Sequence, residues 1–311
     1  TKFYKRHGYY YLSIPEGGVG EGWQTILRSK NIYGPYEKKV VLEQGNTTVN
    51  GPHQGALVDT LEGEWWFFHF QLTEPLGRVV HLQPVCWMEN WPVIGVDMDM
   101  NGIGEPVKVW TKPGVSKSVL VSHPQTTDDF NSYTLGLQWQ FNHNPVNTHW
   151  SLNERRGWLA LKALKAATLR ESRNMLTQKC MGYLSTATVL LDFSALADGQ
   201  RGGLFCTGSL YNGIGISREE GKNYLYLEKN GDVQQVKMVS GKKIYLRVML
   251  DAKKNRCQLF YSFDNRNFIL CGDAYSLKFG DWKGARVGLY SYNTLGIGGK
   301  CYFDWFNYDF N

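Results

Sequence analysis

The chain alternates short apolar and aromatic runs with turn residues along almost its whole length. Aromatic runs begin at Tyr9 and at Trp65, each shortly after a turn that contains a glycine, Gly8 or Gly63. Short runs of aromatic and β-branched residues bounded by Gly, Asn and Asp are typical of strands joined by tight turns. The pattern therefore predicts an all-β protein.

The first hundred or so residues read as consecutive antiparallel hairpins. Residues 79–87 and 92–95 form two apolar runs on either side of a turn at 88–91. Gly8 and Gly63 lie 55 residues apart and each opens an aromatic strand, close to the period of about 50 residues that propeller blades have. Two copies make only a weak repeat.

A change of composition marks a linker over residues 110–130, which are rich in Ser, Thr, Pro and Gly and are expected to wrap the surface. We place a domain boundary near Gly114, which gives domains 1–113 and 114–311. Regular strand signals follow, with a type I′ hairpin at Asn230-Gly231, and predict a β-sandwich. The predicted strands are 188–193, 203–207, 223–228, 233–239, 244–250, 258–263, 268–271, 286–292 and 301–308.

One segment carries conflicting signals. Residues 158–170 have high helix propensity, but their start alternates between the two faces of a strand. We favour a strand for 158–163, because a single helix in an all-β domain would need a partner face.

Composition narrows the function classes. The net charge of +6 over 311 residues is scattered over turns, so no nucleic-acid partner is expected. No apolar run approaches the roughly 20 residues of a membrane span, and the segment from Thr1 reads as the inside of a hairpin rather than a leader. The six cysteines form no CxxC pair and are interpreted as small core residues, so the cellular compartment stays open.

His53 is the first candidate for a functional side chain. It lies in the run Asn50-Gly-Pro-His-Gln-Gly55 and precedes the aromatic strand that starts at Trp65. A polar side chain at a strand entrance beside aromatic rings suits a sugar pocket, whereas a histidine between Gly and Pro also suits a simple turn. Trp65 and Trp66 must point to opposite faces of their strand, so at most one can face such a pocket.

Several motifs in one order give the chain a resemblance to glycoside hydrolase family 43, which contains β-xylosidases and α-L-arabinofuranosidases. The second half is similar to the sandwich that follows the propeller in the xylosidase branch. The motifs are GYYYLS at 8–13, RSKNIYGPYE at 28–37, GPHQGALVD at 51–59, LGRVVHLQPVCW at 76–87, GWLAL at 157–161, RNMLTQ at 173–178, DGQRGGL at 198–204 and FDWF at 303–306.

The resemblance implies the last blades of a five-bladed β-propeller, roughly two of five, followed by a concanavalin-like, jelly-roll sandwich. It also implies an inverting glycosidase whose carboxylates act on opposite faces of the sugar ring. Those carboxylates would precede Thr1, in a missing N-terminal segment or a complementary chain. The acidic residues near the strands, which are Glu16, Glu21, Asp59, Glu62 and Glu64, are interpreted as solvated turn residues, so no catalytic set is expected here.

The resemblance implies binding roles for three residues. His53 would contact the pocket and, through water, a structural calcium near the propeller axis. Arg78 would donate to hydroxyls of the terminal sugar, and its alternative is a surface ion pair with Glu74. Trp23, in the loop after the first hairpin, would stack on a leaving-group sugar or pack in the core.

The expected partner is a hemicellulose-derived oligosaccharide with terminal β-xylosyl or α-L-arabinofuranosyl residues. A non-catalytic carbohydrate-binding or scaffold fragment is the alternative. A loop at 293–299 is expected to be flexible, but the residues do not assign which sandwich loop reaches a pocket.

Overall fold

The computed structural model describes residues 1–114, 122–278, 280, 283–296 and 298–311. Contacts divide the chain into two compact units, Thr1–Thr73 with Gly77–Val121 and Glu74–Leu76 with Ser122–Asn311. Residues 115–121, a third of the predicted linker, and Ile297 of the predicted loop lie outside the described residues. The predicted boundary near Gly114 stays a prediction.

Unit 1 contains two four-stranded antiparallel sheets in which neighbouring strands follow one another along the chain. This is the hairpin succession that the aromatic runs predicted. The first sheet consists of β1 (Lys2–Arg6), β2 (Tyr9–Glu16), β3 (Trp23–Ser29) and β4 (Glu37–Leu42). The second consists of β5 (His53–Asp59), β6 (Trp65–Thr73), β7 (Gly77–Met88) and β8 (Trp91–Ile94).

The two sheets bury one core between them. Its fully buried members come from both sheets and include Tyr11, Ile26 and Phe67. The tight turns match the strand twist, since Glu89 and Asn90 both have positive φ (50° and 62°) between β7 and β8. The two sheets are thus consecutive blades of a propeller, as the resemblance predicted.

Unit 2 is a β-sandwich, and two short 3-10 helices (Asn147–His149 and Leu169–Glu171) lie outside its strands. Its strands are β9 (Gln140–Phe141), β10 (Trp150–Ser151), β11 (Leu159–Lys162), β12 (Leu164–Lys165), β13 (Leu176–Lys179), β14 (Leu184–Asp192), β15 (Gln200–Thr207), β16 (Tyr211–Glu219), β17 (Lys222–Lys229), β18 (Asp232–Met238), β19 (Lys243–Asp251), β20 (Arg256–Ser262), β21 (Ile269–Leu270), β22 (Tyr275–Ser276), β23 (Arg286–Asn293) and β24 (Lys300–Phe310).

These strands form two sheets. One has the order β10-β11-β24-β14-β19-β20-β21, with β22 also paired to β20. The other has the order β18-β17-β16-β15-β23-β13-β9, with β12 added in parallel to β23. Leu191, Leu204 and Leu246 are fully buried, as alternation in two facing sheets requires.

Local features of the strands and turns bear on the sequence predictions. The strand favoured at 158–163 is confirmed as β11, and the Asn230-Gly231 turn has positive φ at both residues (50° and 96°). Five of the six cysteines are buried and only Cys86 is exposed. The expectation of a surface linker over 110–130 is wrong at its end, because Phe130 is 1% exposed and Asp128 bridges to Phe306 of β24.

The strand β16 is absent from the predicted strands, because Gly213 and Gly215 interrupt its apolar pattern. Among the described residues, no helix has the length and apolar character needed to cross a membrane.

Candidate functional site

His53 is the first residue of β5 and is only 1% exposed. Its Nδ1–H donates to the carbonyl oxygen of Gly51 at 2.8 Å, and this bond orients the ring. Gly51 has φ +48°, and a Cβ there would lie 2.3 Å from the Val19 carbonyl oxygen. The turn therefore requires glycine at this position and fixes the direction of the imidazole.

The other edge of the His53 ring packs against the first sheet. A Cβ placed on Gly22 would lie 2.5 Å from His53 Nε2, so the β2–β3 loop closes over the ring only because residue 22 has no side chain. His53 is thus held from both blades of unit 1.

A β-bulge aligns His53 with an aromatic ring. His53 pairs with Phe70, whereas Ala56 pairs with Phe68, so β5 carries one extra residue between them. Gly55 permits this bulge, because a Cβ there would lie 2.1 Å from the Phe68 carbonyl oxygen. The His53 and Phe70 ring centroids are consequently 6.0 Å apart.

Arg78 reaches the same ring from β7. It pairs with Leu72, one pleat from Phe70, and its guanidinium carbon lies 4.6 Å from the Phe70 ring centroid. Its Nε atom is buried and has no hydrogen-bond partner among the described residues. The described salt bridges do not include Arg78, so the alternative pair with Glu74 is not observed.

The structure therefore brings His53 and Arg78 together on either side of Phe70, and we call these three residues the Phe70 group. A cavity of about 240 Å³ on this part of the sheet is lined by Phe68, Phe70 and Val80, with Val80 67% exposed. Phe70 was not singled out in the sequence. Only the alternation of β6 pointed to it, because the bulge that sets its register is not visible as a motif.

Trp23 does not join the Phe70 group by any described contact. The expectation that it lies within a loop is wrong, because it is the first residue of β3 and pairs with Glu16. Its ring packs on Gly17, where a Cβ would lie 3.1 Å from it, and it is 37% exposed. This environment accommodates hairpin packing as well as stacking, so its sugar role stays a prediction.

Glu16 and Glu64 are engaged within unit 1. Glu16 accepts hydrogen bonds from Lys38 Nζ at 2.7 Å and from Thr25 Oγ1, and the Lys38 bond holds the pKa of the Glu16 carboxyl below its usual value. Glu64 accepts a bond from the Gly114 amide at 2.8 Å. Both carboxylates therefore have local structural partners, in agreement with turn chemistry.

Two further histidines, His69 and His81, were not predicted as candidates. They pair across β6 and β7 with ring centroids 5.3 Å apart, and His69 lies 3.3 Å from Gln83 through its Nε2. Burial lowers the pKa of His69 to about 4 and also lowers the pKa of His81. These rings are therefore neutral near pH 7 and form an uncharged layer on the face of β6 and β7 opposite to Phe70.

A calcium ion takes six to eight oxygen ligands, mostly carboxylates and carbonyls. The described part of the chain contains no group of three His, Cys, Asp or Glu side chains that could hold an ion. His53 offers one nitrogen, and no contact within the described part of the chain joins it to a carboxylate. These residues do not fit a directly coordinated calcium, and contact between His53 and the water shell of an ion stays a prediction.

Two consecutive four-stranded blades followed by a two-sheet sandwich define a propeller protein with a C-terminal concanavalin-like domain. Residues 1–92 match the family described as Glycosyl hydrolases family 43, and residues 127–309 match the Beta xylosidase C-terminal Concanavalin A-like domain. The chain belongs to glycoside hydrolase family 43, as the motifs indicated.

Relatives support this assignment. The chain is 52% identical over 288 residues to a putative beta-xylosidase of Xylanibacter ruminicola, covering 93% of this chain and 54% of that protein. It is 31% identical over 255 residues to a non-reducing end alpha-L-arabinofuranosidase of Bacteroides ovatus, covering 76% and 44%. The crystal structure of the GH43 BlXynB protein from Bacillus licheniformis superposes with a TM-score of 0.85 at 27% identity, covering 99% of this chain and 64% of that one.

The chain thus spans about half the length of the first of these relatives.

Proposed function

We propose that this chain is the C-terminal part of a glycosidase that removes terminal β-xylosyl or α-L-arabinofuranosyl residues from hemicellulose-derived oligosaccharides. The observation that carries the proposal is the Phe70 group, in which a cationic donor with no acidic partner among the described residues lies beside a buried histidine and an aromatic ring. Family membership and the names of the relatives support the glycosidase class.

Arg78 is the residue on which we place substrate binding. A guanidinium presents five donors in a fixed plane and accepts nothing, so it suits the hydroxyl oxygens of a sugar. Its position over Phe70 fixes the plane, and its buried Nε lacks an acceptor among the described residues. A sugar hydroxyl would supply that acceptor.

We further propose an inverting reaction whose catalytic carboxylates lie on residues that precede those of this chain. One carboxylate would activate water and a carboxylic acid would protonate the leaving oxygen, about 6.5–9.5 Å from the first. Arg78 would then have a second effect, since its positive charge lowers the pKa of a nearby carboxylate and keeps that base ionised. His53 would contact the sugar, or the water shell of a calcium ion.

Fusion of the chain to the segment that precedes the aligned region in the Xylanibacter ruminicola relative tests the proposal. Hydrolysis of aryl β-xyloside and aryl α-L-arabinofuranoside is measured for the fusion and for the chain alone. We expect turnover of at least one substrate by the fusion, inverted product configuration by NMR, and no turnover by the chain alone.

Each other outcome is informative. Turnover by the chain alone would contradict the placement of the carboxylates. An inactive, folded fusion that still binds xylobiose would favour the non-catalytic carbohydrate-binding alternative. Retained configuration would contradict the inverting mechanism.

A further inference from the structure

A second cavity lies at the opposite end of the β5–β8 sheet from the Phe70 group. It has a volume of about 610 Å³, within the range of ligand pockets in proteins. Its walls include four of the eleven tryptophans of the chain, and we call it the tryptophan cavity. These are Trp65, Trp66, Trp87 and Trp110.

Packing holds two of these rings in fixed orientations. Trp65 and Trp87 meet edge to face with centroids 5.3 Å apart, and the Arg6 guanidinium carbon lies 4.1 Å from the Trp87 ring centroid. Trp110, by contrast, is 53% exposed at the cavity. A fixed aromatic wall with one accessible ring suits a ligand that has flat apolar faces, and a pyranose ring presents such faces through its C–H groups.

The indole N–H groups give the second observation. Nε1 of Trp66 and Nε1 of Trp87 are buried and have no hydrogen-bond partner among the described residues. Trp66 is only 6% exposed as a whole. Buried donors are nearly always paired, and leaving one unpaired is unfavourable. Trp66 and Trp87 lie on opposite faces of the sheet, so one of these donors can face the cavity, and it indicates a ligand with a hydrogen-bond acceptor.

The charged side chains at the cavity already have partners within unit 1, and this favours a neutral ligand. Glu64 accepts from the Gly114 amide, and Asp97 accepts from the amides of Asn101 and Gly102. Arg6 lies over the Trp87 ring. A ligand with apolar faces, many hydroxyl groups and no charge combines these requirements, and an oligosaccharide meets all three.

We propose that the tryptophan cavity is a second carbohydrate-binding site, which takes a segment of a neutral xylo-oligosaccharide. Trp66 and Phe70 are four residues apart on β6, so the cavity and the Phe70 group are separated by roughly 13 Å along the strand. The choice of xylose units rests on the proposed function, whereas the existence of the site does not.

Titration of the chain with xylohexaose, followed by tryptophan fluorescence and calorimetry, tests this site. Trp110→Ala should weaken binding by roughly three- to tenfold, because one accessible stacking ring is lost. Trp66→Phe keeps the ring and removes the N–H donor, and should weaken binding by a smaller factor. Tyr33→Ala is the matched control, since Tyr33 is an exposed aromatic residue that does not line the cavity.

Arg78→Ala separates this site from the Phe70 group. Unchanged fluorescence quenching by xylohexaose in this variant would support two sites, whereas loss of quenching in Arg78→Ala and not in Trp110→Ala would overturn the proposal. Cellohexaose and decaproline complete the panel, because aromatic grooves also bind proline-rich peptides.

Saturable quenching by cellohexaose alone would uphold a carbohydrate site and contradict the xylan assignment of the proposed function. Binding of decaproline without any oligosaccharide would overturn the carbohydrate site. Equal affinities for the Trp110→Ala variant and the unaltered chain would overturn it as well.

Discussion

The Phe70 group of unit 1 and a cluster around Glu228 in unit 2 both combine an ionisable side chain with aromatic rings, but they differ in hydrogen bonding. Glu228 is fully buried, and its two oxygens accept from the Leu169 amide and from the Tyr292 hydroxyl. The neighbouring hydroxyls of Tyr226 and Tyr290 bond to each other at 2.6 Å. Arg78, in contrast, leaves its buried Nε without a partner among the described residues.

The hydrogen bonding of buried donors distinguishes a structural cluster from a binding site. Burial raises the pKa of Tyr226, Tyr290 and Tyr292, so the hydroxyls stay protonated and serve as donors within the sandwich. A fully satisfied buried network stabilises one packing. An unsatisfied donor instead costs free energy that a ligand can recover, and this is the basis of our assignment of the Phe70 group.

Among these variants, we expect loss of the Glu228 carboxyl to change stability most. Glu228→Ala removes the acceptor of two buried donors and leaves a void, so we expect the free energy of unfolding of unit 2 to fall by about 3–5 kcal/mol. Hydrogen exchange in peptides from β17 and β23 reports this loss. Glu220→Ala, at an exposed position, should leave exchange unchanged. Equal protection in both variants would show that the Glu228 network contributes little.

The stability of the chain should depend on pH through His69 in the neutral histidine layer of unit 1. The pKa of His69 is lowered by burial from 6.5 to about 4, so between these values the unfolded chain binds more protons than the folded one. The free energy of unfolding therefore has its full value above pH 6.5. It falls by about 3 kcal/mol as the pH is lowered toward 4.

Urea denaturation at pH 7, 5.5 and 4 measures this effect for the unaltered chain and for His69→Gln. We expect the variant to lose less stability over the same interval. His7→Gln, at an exposed turn, serves as the control and should follow the unaltered chain. Parallel curves for all three proteins would contradict a titrating His69.

The third prediction concerns substrate binding by Arg78. In the active fusion, Arg78→Ala should lower kcat/KM by roughly 10- to 150-fold, which corresponds to the loss of charged hydrogen bonds worth about 1.5–3 kcal/mol. The thermal midpoint should change little, because Arg78 has no salt bridge among the described residues to lose. Arg156→Ala, at an exposed turn, is the control. A destabilised variant with unaltered kcat/KM would turn Arg78 into a structural residue.

The smallest effect tests how His53 is positioned. Gly22→Ala places a Cβ 2.5 Å from His53 Nε2 and 2.6 Å from the Glu16 carbonyl oxygen, so the His53 ring and the β2–β3 loop must both shift. We expect roughly a tenfold lower kcat/KM of the fusion, about 1.4 kcal/mol. Gly18→Ala introduces a Cβ with no atom within 4 Å and should have no effect. Identical kinetics for the two variants would remove His53 from the site.

The sequence allowed the prediction of features that depend on alternation. The hairpins of unit 1, the strand at 158–163 and the Asn230-Gly231 turn follow from apolar periodicity and turn residues, and the structure confirms them. The strand β16 could not be predicted in this way. A Cβ at Gly215 would lie 2.2 Å from the Gly202 carbonyl oxygen, so close approach of backbones selects glycine over residues that favour strands.

The candidate site was predictable only in part. His53 and Arg78 were identified through family motifs, but their shared contact with Phe70 depends on the bulge at residues 54–55. A bulge changes which side chains meet across two strands, and its glycine signal also fits an ordinary turn. The orphan donors of Trp66 and Trp87 are likewise a property of packing that no local motif specifies.

The NMR signal of the Arg78 Nε–H group, assigned with the Arg78→Lys variant, reports sugar binding at the Phe70 group directly during titration with xylobiose. We expect a saturable shift of this signal, while that of Arg247, whose Nε already donates to Thr188 at 2.9 Å, stays in place. An Arg78 signal that does not move when xylobiose binding, followed by calorimetry, is saturated would contradict the assignment of the Phe70 group as a sugar site.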